Sequence, residues 1–391
     1  MEAFKITRIP EIIFGAGKID LAGKLAAGFG KTAILVTGEG HLKRSGDFDR
    51  VVKSLREAGL YIISISFQNE PSPDFVDSVV MEHRNRNIGV VVAVGGGSVV
   101  DGGKAISAML LQEKRVKTYL EGVGTGEVHD GRKIPFIAVP TTSGTGSEAT
   151  KNAVLSSVSE DGFKKSLRHD NFVPDIALID PGLMLSIPPD VTASTGMDAI
   201  VQLLESYVST KANPMTDALA WSGLEHAAAN FPKACSEGAS DVNVRAGMAY
   251  AALMSGIALA NAGMGVVHGF ASVIGGYFRI PHGVVCGTLF APSVKNTIEN
   301  LLRSDPESVF LEKYSRAGYL LSGKKGSDTE TGCALLVDTL YEWSRDLSIP
   351  KLGKYGIESF HFDMILNETG QKNNPALLSR KQLKAILEER L

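Results

Sequence analysis

The segment VVAVGGGSVVDGGKAIS, residues 91–107, decides the fold. An uninterrupted apolar run leads directly into Gly95, Gly96, Gly97 and Ser98, and a helix-like pattern follows. Apolar runs of this length are typical of strands that are buried on both faces of a parallel sheet. A strand that passes through a tight turn into a helix therefore predicts an α/β domain.

The segments on either side repeat this strand–helix alternation. Short runs rich in Val and Ile occupy residues 32–37, 60–66, 88–94, 134–139 and 175–180, and helix-like stretches lie near 46–58 and 74–86. This order predicts βαβ crossovers and a parallel, Rossmann-like sheet over residues 1–184.

The second half of the chain has a different composition and pattern. Prolines at 181, 188 and 189 interrupt it, and Ala/Leu-rich segments follow at 196–209, 213–229, 243–262 and 333–346. We therefore expect an all-helical domain over residues 185–391, which ends in a helix capped by Ser379.

Composition narrows the class of protein. The 391 residues are 44% hydrophobic and 21% charged, and the net charge is −3, which argues against a nucleic-acid or anionic-membrane partner. Three widely spaced cysteines favour a reduced, intracellular protein. The N-terminal segment lacks the apolar core of a signal peptide, and we find no apolar run of about 18 residues. We expect a soluble cytoplasmic protein.

The glycine run is the first candidate binding site. Glycines allow a ligand to approach the backbone closely, and the N–H groups at the start of a helix can bind a phosphate. A tight strand-to-helix turn is the alternative, but three consecutive glycines exceed what such a turn needs. We interpret the run as a nucleotide- or phosphate-binding loop.

The end of the first Val/Ile run bears on the choice of cofactor. Dinucleotide folds often place an acid there, which binds the 2′-hydroxyl of the adenosine ribose. Gly38 stands at this position, Glu39 follows it, and Lys43 and Arg44 lie close enough to meet a 2′-phosphate. An ordinary loop explains the two basic residues equally well.

A third loop, in AVPTTSGTGSEATKNAV (138–154), is crowded with hydroxyl groups. Thr141, Thr142, Ser143, Thr145 and Ser147 follow the end of a strand, where neutral donors can surround a pyrophosphate or a nicotinamide carboxamide. A hydroxyl-rich turn without a ligand is the alternative.

Two histidines and an acid suggest a metal site. His268 and His282 are fourteen residues apart, and Asp198 lies in an earlier helical segment with Gln202 one turn after it. Asp and His are common ligands of Zn²⁺ and Fe²⁺, although a single histidine on an apolar helix is more often a core residue. The remaining histidines, at 41, 83, 129, 169, 226 and 361, stand in polar contexts and are expected at the surface.

Together these motifs resemble the iron-containing (group III) alcohol dehydrogenases along essentially the whole chain. The matching segments are GGGSVVDGGKA (95–105), IPFIAVPTTSGTGSEAT (134–150), ALIDP (177–181), STGMDAI (194–200), ESYVS (205–209) and IPHG (280–283).

The resemblance implies a dehydroquinate synthase-like architecture, in which a dinucleotide-binding domain and a helical domain enclose a cleft for NAD(P) and a metal. It also implies a homodimer paired through the N-terminal strand and a small alcohol or aldehyde as substrate. The catalytic and metal-binding positions fall on Asp198, His268 and His282, with Gln202 at a fourth metal-ligand position. The cofactor contacts fall on Gly38, Gly95, Gly96, Gly97, Ser98, Asp101, Thr141, Thr142, Thr145, Ser147 and Lys164.

Two departures from the family pattern concern the chemistry. The family usually has a histidine where Gln202 stands, and many members have another where Ser272 stands. Because an amide oxygen is a weaker ligand than imidazole, we expect weaker retention of Fe²⁺ or Zn²⁺. The absence of an acid at Gly38 favours NADP(H) over NAD(H). The alternatives are a catalytically impaired nucleotide-binding protein and a glycerol dehydrogenase-like or dehydroquinate synthase-like enzyme.

Overall fold

The computed structural model describes residues 3–39 and 41–391, without the side chains of His41 and Lys43. A six-stranded sheet occupies the N-terminal part of the chain, and helices dominate from Pro189 onwards. The strands are β1 (Glu11–Phe14), β2 (Thr32–Gly38), β3 (Tyr61–Phe67), β4 (Val90–Gly95), β5 (Phe136–Pro140), β6 (Asn152–Ser157), β7 (Phe163–Arg168) and β8 (Ile176–Ile179). The helices of the N-terminal part are α1 (Ala22–Ala27), α2 (His41–Arg44), α3 (Asp47–Glu57), α4 (Pro73–His83) and α5 (Gly97–Met109).

The main sheet has the strand order β1-β8-β5-β4-β2-β3, and all of its pairs are parallel. The five strands that the sequence predicts are confirmed to within two residues at each end. The chain runs outward from β2 to β3 and then returns to place β4 on the other side of β2. Ligands of such sheets bind beyond the carboxyl ends of the strands at this reversal of order.

Three strands are not among the five that the runs of Val and Ile predict. The short strand β1 pairs with β8 at the edge of the sheet, and β6 and β7 form a separate antiparallel hairpin. The strand β1 joins the main sheet by pairing with a distant part of the chain, which a local pattern of side chains does not reveal, whereas the hairpin pairs segments that are close in the sequence.

The helical part packs around one large apolar core. Its helices are α6 (Pro189–Tyr207), α7 (Pro214–Ala234), α8 (Val242–Ala262), α9 (Val266–Tyr277), α10 (His282–Ser304), α11 (Val309–Ser322), α12 (Thr329–Asp346), α13 (Phe362–Glu368) and α14 (Arg380–Glu389). The predicted start of α6 is seven residues late, because Pro188 and Pro189 indicated a break. Pro189 instead occupies the first turn of the helix, where a missing N–H costs nothing. The Ser379 cap of α14 is confirmed, since its hydroxyl accepts from Gln382 N.

The helix α8 is long and apolar enough to span a membrane by length and composition, although we expected no such segment. Most of it is buried against other helices, as in the core helix of a soluble protein. The expectation that the remaining histidines lie at the surface is wrong for two of them. His83 and His129 are buried, and His129 Nε2 lies 3.2 Å from the carbonyl oxygen of Ala108.

Candidate active site

A cleft between the sheet and the helical part contains most of the predicted site residues. Its volume is about 190 Å³. Residues of both parts of the chain line it, including Gly97, Ser98, Asp101, Thr145, Ser147, Lys164, Gln202, Met264, His268, Ser272 and His282. The fold therefore brings the glycine loop, the hydroxyl-rich loop and the histidines to one place.

The two loops meet because the strands that precede them are neighbours. Gly95, at the end of β4, pairs with Pro140 of β5, and Thr141 N donates to Gly95 O at 2.9 Å. A Cβ on Gly97 would lie 2.5 Å from Thr145 Cγ2, so the close approach of the hydroxyl-rich loop requires this glycine. A Cβ on Gly96 would meet Thr142 Oγ1 only at 3.5 Å, an ordinary contact. Space next to Gly96 is therefore available to a ligand at the N-terminus of α5.

A buried lysine that the sequence analysis missed holds the hydroxyl-rich loop against α5. Lys104 Nζ donates to the carbonyl oxygens of Ser147 and Asn152 at 2.8 and 2.7 Å, and to Thr150 Oγ1 at 3.0 Å. Burial lowers the pKa of Lys104 to about 8. The hydroxyl of Ser147 also donates to Asp101, which ties both predicted residues to the loop.

The end of β2 lies at the same edge of the sheet. Gly38 pairs with Phe67, and a Cβ on Gly38 would lie 3.4 Å from Val99 Cγ2 on α5. Glu39 is exposed, and its Oε2 accepts from Gln68 Nε2 at 2.5 Å. Arg44 is exposed at the end of α2, and the side chain of Lys43 lies outside the described residues.

Asp198, His268 and His282 converge on one point from three helices. His268 Nε2 and His282 Nε2 lie 3.4 and 3.7 Å from Asp198 Oδ1. Asp198 Oδ1 is buried without a hydrogen-bond partner among the described residues. A buried, unpaired carboxylate oxygen is costly, and a cation between it and the two imidazole nitrogens would offset that cost. These side chains therefore fit a divalent metal ion.

A glutamate orients one of the two histidines. Glu205 lies on α6 and is buried; its Oε2 lies 2.7 Å from His268 Nδ1, and its Oε1 accepts from Val267 N at 2.8 Å. A carboxylate on Nδ1 leaves the Nε2 lone pair free for a metal, an arrangement common in metal sites. Glu205 was also missed, although it belongs to the segment ESYVS.

Electrostatics favours an ionised carboxylate at the same point. Burial disfavours a charge on His268, but Cys286, Glu205 and Asp198 raise the pKa of His268 well above its usual value. Burial lowers the pKa of His282 to about 4. The pKa of Asp198 falls to about 2, because the attraction of the two histidines outweighs the effect of burial. A place that stabilises a buried carboxylate in this way suits a cation.

Gln202, Ser272 and Lys164 each have partners within the protein. Gln202 Oε1 lies 2.7 Å from the hydroxyl of Ser255 on α8, and the Ser272 hydroxyl lies 2.9 Å from His268 O. Lys164 Nζ pairs with Glu70 at the wall of the cleft, where the lysine charge holds the pKa of Glu70 below its usual value against the effect of burial.

Comparison with known proteins identifies the family. The family description "Iron-containing alcohol dehydrogenase" matches residues 10–181, and "Fe-containing alcohol dehydrogenase family, C-terminal" matches residues 192–391. The chain belongs to the iron-containing alcohol dehydrogenase family. It is therefore an alcohol oxidoreductase, and the expected family, Rossmann-like sheet and helical C-terminal part are confirmed.

Individual relatives cover nearly the whole chain. The choline dehydrogenase of Bacillus subtilis (strain 168) is 32% identical over 91% of this chain and 87% of its own length. The NADPH-dependent butanol dehydrogenase of Clostridium saccharobutylicum is 31% identical over 97% of this chain and 95% of its own. The structure of an archaeal halo-thermophilic alcohol dehydrogenase from a Red Sea brine pool superposes with a TM-score of 0.90, at 26% identity and full coverage of both chains.

Proposed function

We propose that the cleft is the active site of a metal-dependent, NADP(H)-linked alcohol dehydrogenase or aldehyde reductase that acts on a small substrate. The observation that carries this proposal is the convergence of Asp198 Oδ1 with two imidazole nitrogens beside a glycine loop at the start of a helix. Family membership supports the reaction class.

Asp198, His268 and His282 would hold the metal. A divalent ion at this point would act as a Lewis acid on the substrate oxygen and lower the pKa of an alcohol. The protein contributes a buried carboxylate and two histidines, one of them oriented by Glu205. Ser272 stands near His268 with a hydroxyl in place of an imidazole, so a proton relay through it would have to use that hydroxyl or water.

The cofactor would lie along the two loops at the carboxyl edge of the sheet. A nicotinamide cofactor exchanges a hydride with the carbinol carbon of the substrate. The space next to Gly96 and the N-terminus of α5 suit its pyrophosphate, and Ser98 and Thr145 offer hydroxyl groups to it. Gly38 places no carboxylate against a 2′-phosphate, and Arg44 is exposed nearby. These features favour NADP(H), whereas the relatives include both an NADPH-dependent and an NAD-dependent enzyme.

The same proposal includes a cytoplasmic homodimer. The strand β1 lies at the edge of the main sheet, and Phe4 and Ile9 just before it are exposed. A second copy that pairs along this edge would cover both its backbone groups and these apolar side chains.

The proposal is tested by following NADPH oxidation with a panel of small aldehydes, after the protein has been stripped of metal and reloaded with Fe²⁺ or Zn²⁺. We expect turnover that depends on metal and is abolished in His268→Ala. His226→Ala, which removes an exposed histidine of α7, serves as the matched control. Tight NADPH binding without turnover on any substrate would instead favour the nucleotide-binding alternative.

A further inference from the structure

A buried cysteine lies beside Asp198, His268 and His282. Cys286 lies on α10 one turn after His282, so the two side chains share one face of the helix. Its Sγ lies 3.7 Å from His268 Nε2 and 3.7 Å from His282 Nε2, and the residue is fully buried. The thiol is therefore directed at the same point as the three residues that the proposed function assigns to the metal.

Four of the six distances between the donor atoms match those around a tetrahedral ion. For typical zinc bond lengths, tetrahedral geometry separates two N or O ligands by roughly 3.3 Å, and N from S by roughly 3.6 Å. The two oxygen–nitrogen distances here are 3.4 and 3.7 Å, and both sulfur–nitrogen distances are 3.7 Å. All four donor atoms lie within 4.8 Å of one another.

Gln202 stands where the resemblance implies a fourth ligand, but its amide has a different partner. The side chain is buried, and its oxygen lies 2.7 Å from the hydroxyl of Ser255 on the neighbouring helix α8. This contact connects α6 to α8 and leaves the thiol on α10 to complete the cluster.

We propose that Cys286, and not Gln202, is the fourth protein ligand of the metal. The inference rests on the proposed function, because it concerns the ion that this function requires. On binding, the thiol would release its proton to solvent as the sulfur–metal bond forms. The thiolate and Asp198 together would then balance the two positive charges of the ion. A soft thiolate ligand favours Zn²⁺ over Fe²⁺, so the chain would retain zinc despite the name of its family.

X-ray absorption at the zinc edge tests the ligand directly in the unmodified, full-length protein loaded with one equivalent of Zn²⁺. We expect one sulfur neighbour at about 2.3 Å beside nitrogen and oxygen neighbours at about 2.0–2.2 Å. A shell of nitrogen and oxygen alone would overturn the proposal. This measurement needs no variant, so a Cys286 variant that fails to fold would not weaken the test.

Cobalt-loaded variants give a second readout. The thiolate-to-Co²⁺ charge-transfer band should be present in the unmodified protein, in Gln202→Leu and in Cys333→Ser, and absent in Cys286→Ser. Cys333 is a matched control because it is also buried but donates to Leu311 O on another helix. Cys286→Ser should bind Zn²⁺ more than about 100-fold more weakly, since even residues behind the ligands are worth about 10–100-fold.

The other outcomes separate this inference from the proposed function. A charge-transfer band that persists in Cys286→Ser would overturn the assignment. A loss of zinc affinity in Gln202→Leu that Cys286→Ser does not show would also overturn it. Turnover with a sulfur-free zinc shell would refute the inference and keep the proposed function. A sulfur-containing shell without turnover on any substrate would support the ligand assignment and count against the function, whereas no metal binding at all would overturn both.

Discussion

Glu205 gives the sharpest prediction for the metal site, because the structure accounts for both of its oxygens. One accepts from Val267 N at 2.8 Å, and the other lies 2.7 Å from His268 Nδ1. In Glu205→Gln only one oxygen remains. The NH₂ group of the new glutamine is a donor, and it must face another donor, either the backbone N–H of Val267 or the ring N–H of His268.

The substitution also removes the negative charge that makes the His268 ring a better ligand. Loss of such a partner behind a metal-binding histidine costs about 10–100-fold in affinity. We therefore expect Glu205→Gln to bind Zn²⁺ about 10–100-fold more weakly, which is about 1.4–2.7 kcal/mol of binding free energy. The assay is competition between the protein and a chelator of known zinc affinity.

Glu225→Gln is the matched control, since Glu225 is exposed on α7 and accepts from Trp221 Nε1, on a different helix from the proposed metal ligands. The activity of Glu205→Gln should recover when the zinc concentration is raised in proportion to the lost affinity. A general loss of folding would not allow this recovery. Zinc binding as tight as in the unmodified protein, in a folded Glu205→Gln variant, would refute the role of Glu205 as a positioning residue.

Three further predictions concern other parts of the structure. Glu148 is buried, and burial raises its pKa from 4.5 to about 7. The folded protein therefore keeps a proton that the unfolded chain releases, and its stability should fall by about 3 kcal/mol as pH rises from about 4.5 to 7. Urea unfolding at pH 5 and pH 8 measures this loss, and Glu148→Gln should remove most of it. The same difference in unfolding free energy between the two pH values in Glu148→Gln and in the unmodified protein would contradict the prediction. Gly96→Ala should fold normally, because its Cβ meets Thr142 only at 3.5 Å, but bind NADPH at least about tenfold (~1.4 kcal/mol) more weakly in fluorescence titration; unchanged binding would place the cofactor elsewhere. Gly38→Asp has room for its Cβ and should shift the preference between the cofactors toward NAD(H) by about tenfold or more, since a carboxylate repels the 2′-phosphate. Tighter NADH than NADPH binding in the unmodified protein would refute the premise of this test.

The sequence determined those features that depend on residues close together in the chain. The five main strands followed from runs of Val and Ile, and the helical character of the second half from Ala/Leu-rich segments. The residues of the glycine loop, Asp198, His268 and His282 carried enough of the family pattern to predict both the class of reaction and the place of a metal. The spacing of His282 and Cys286, four residues apart in HGVVC, was a local signal as well, since it places both on one helix face. The wide spacing of the three cysteines from one another indicates only a reduced protein and does not reveal this pair.

Tertiary structure decided which of these side chains meet. Glu205 and Val267 are 62 residues apart in the chain, and Gln202 and Ser255 are 53 apart, yet each pair is in hydrogen-bond contact. No periodicity in the sequence encodes such a contact, because it depends on how α6, α8 and α9 pack against one another. The same packing brings Cys286 Sγ to 3.7 Å from His268 Nε2, while the oxygen of Gln202 lies against Ser255. Coordination requires donor atoms that converge to within a few ångströms, and only the packing of three helices from distant parts of the chain determines which atoms do so.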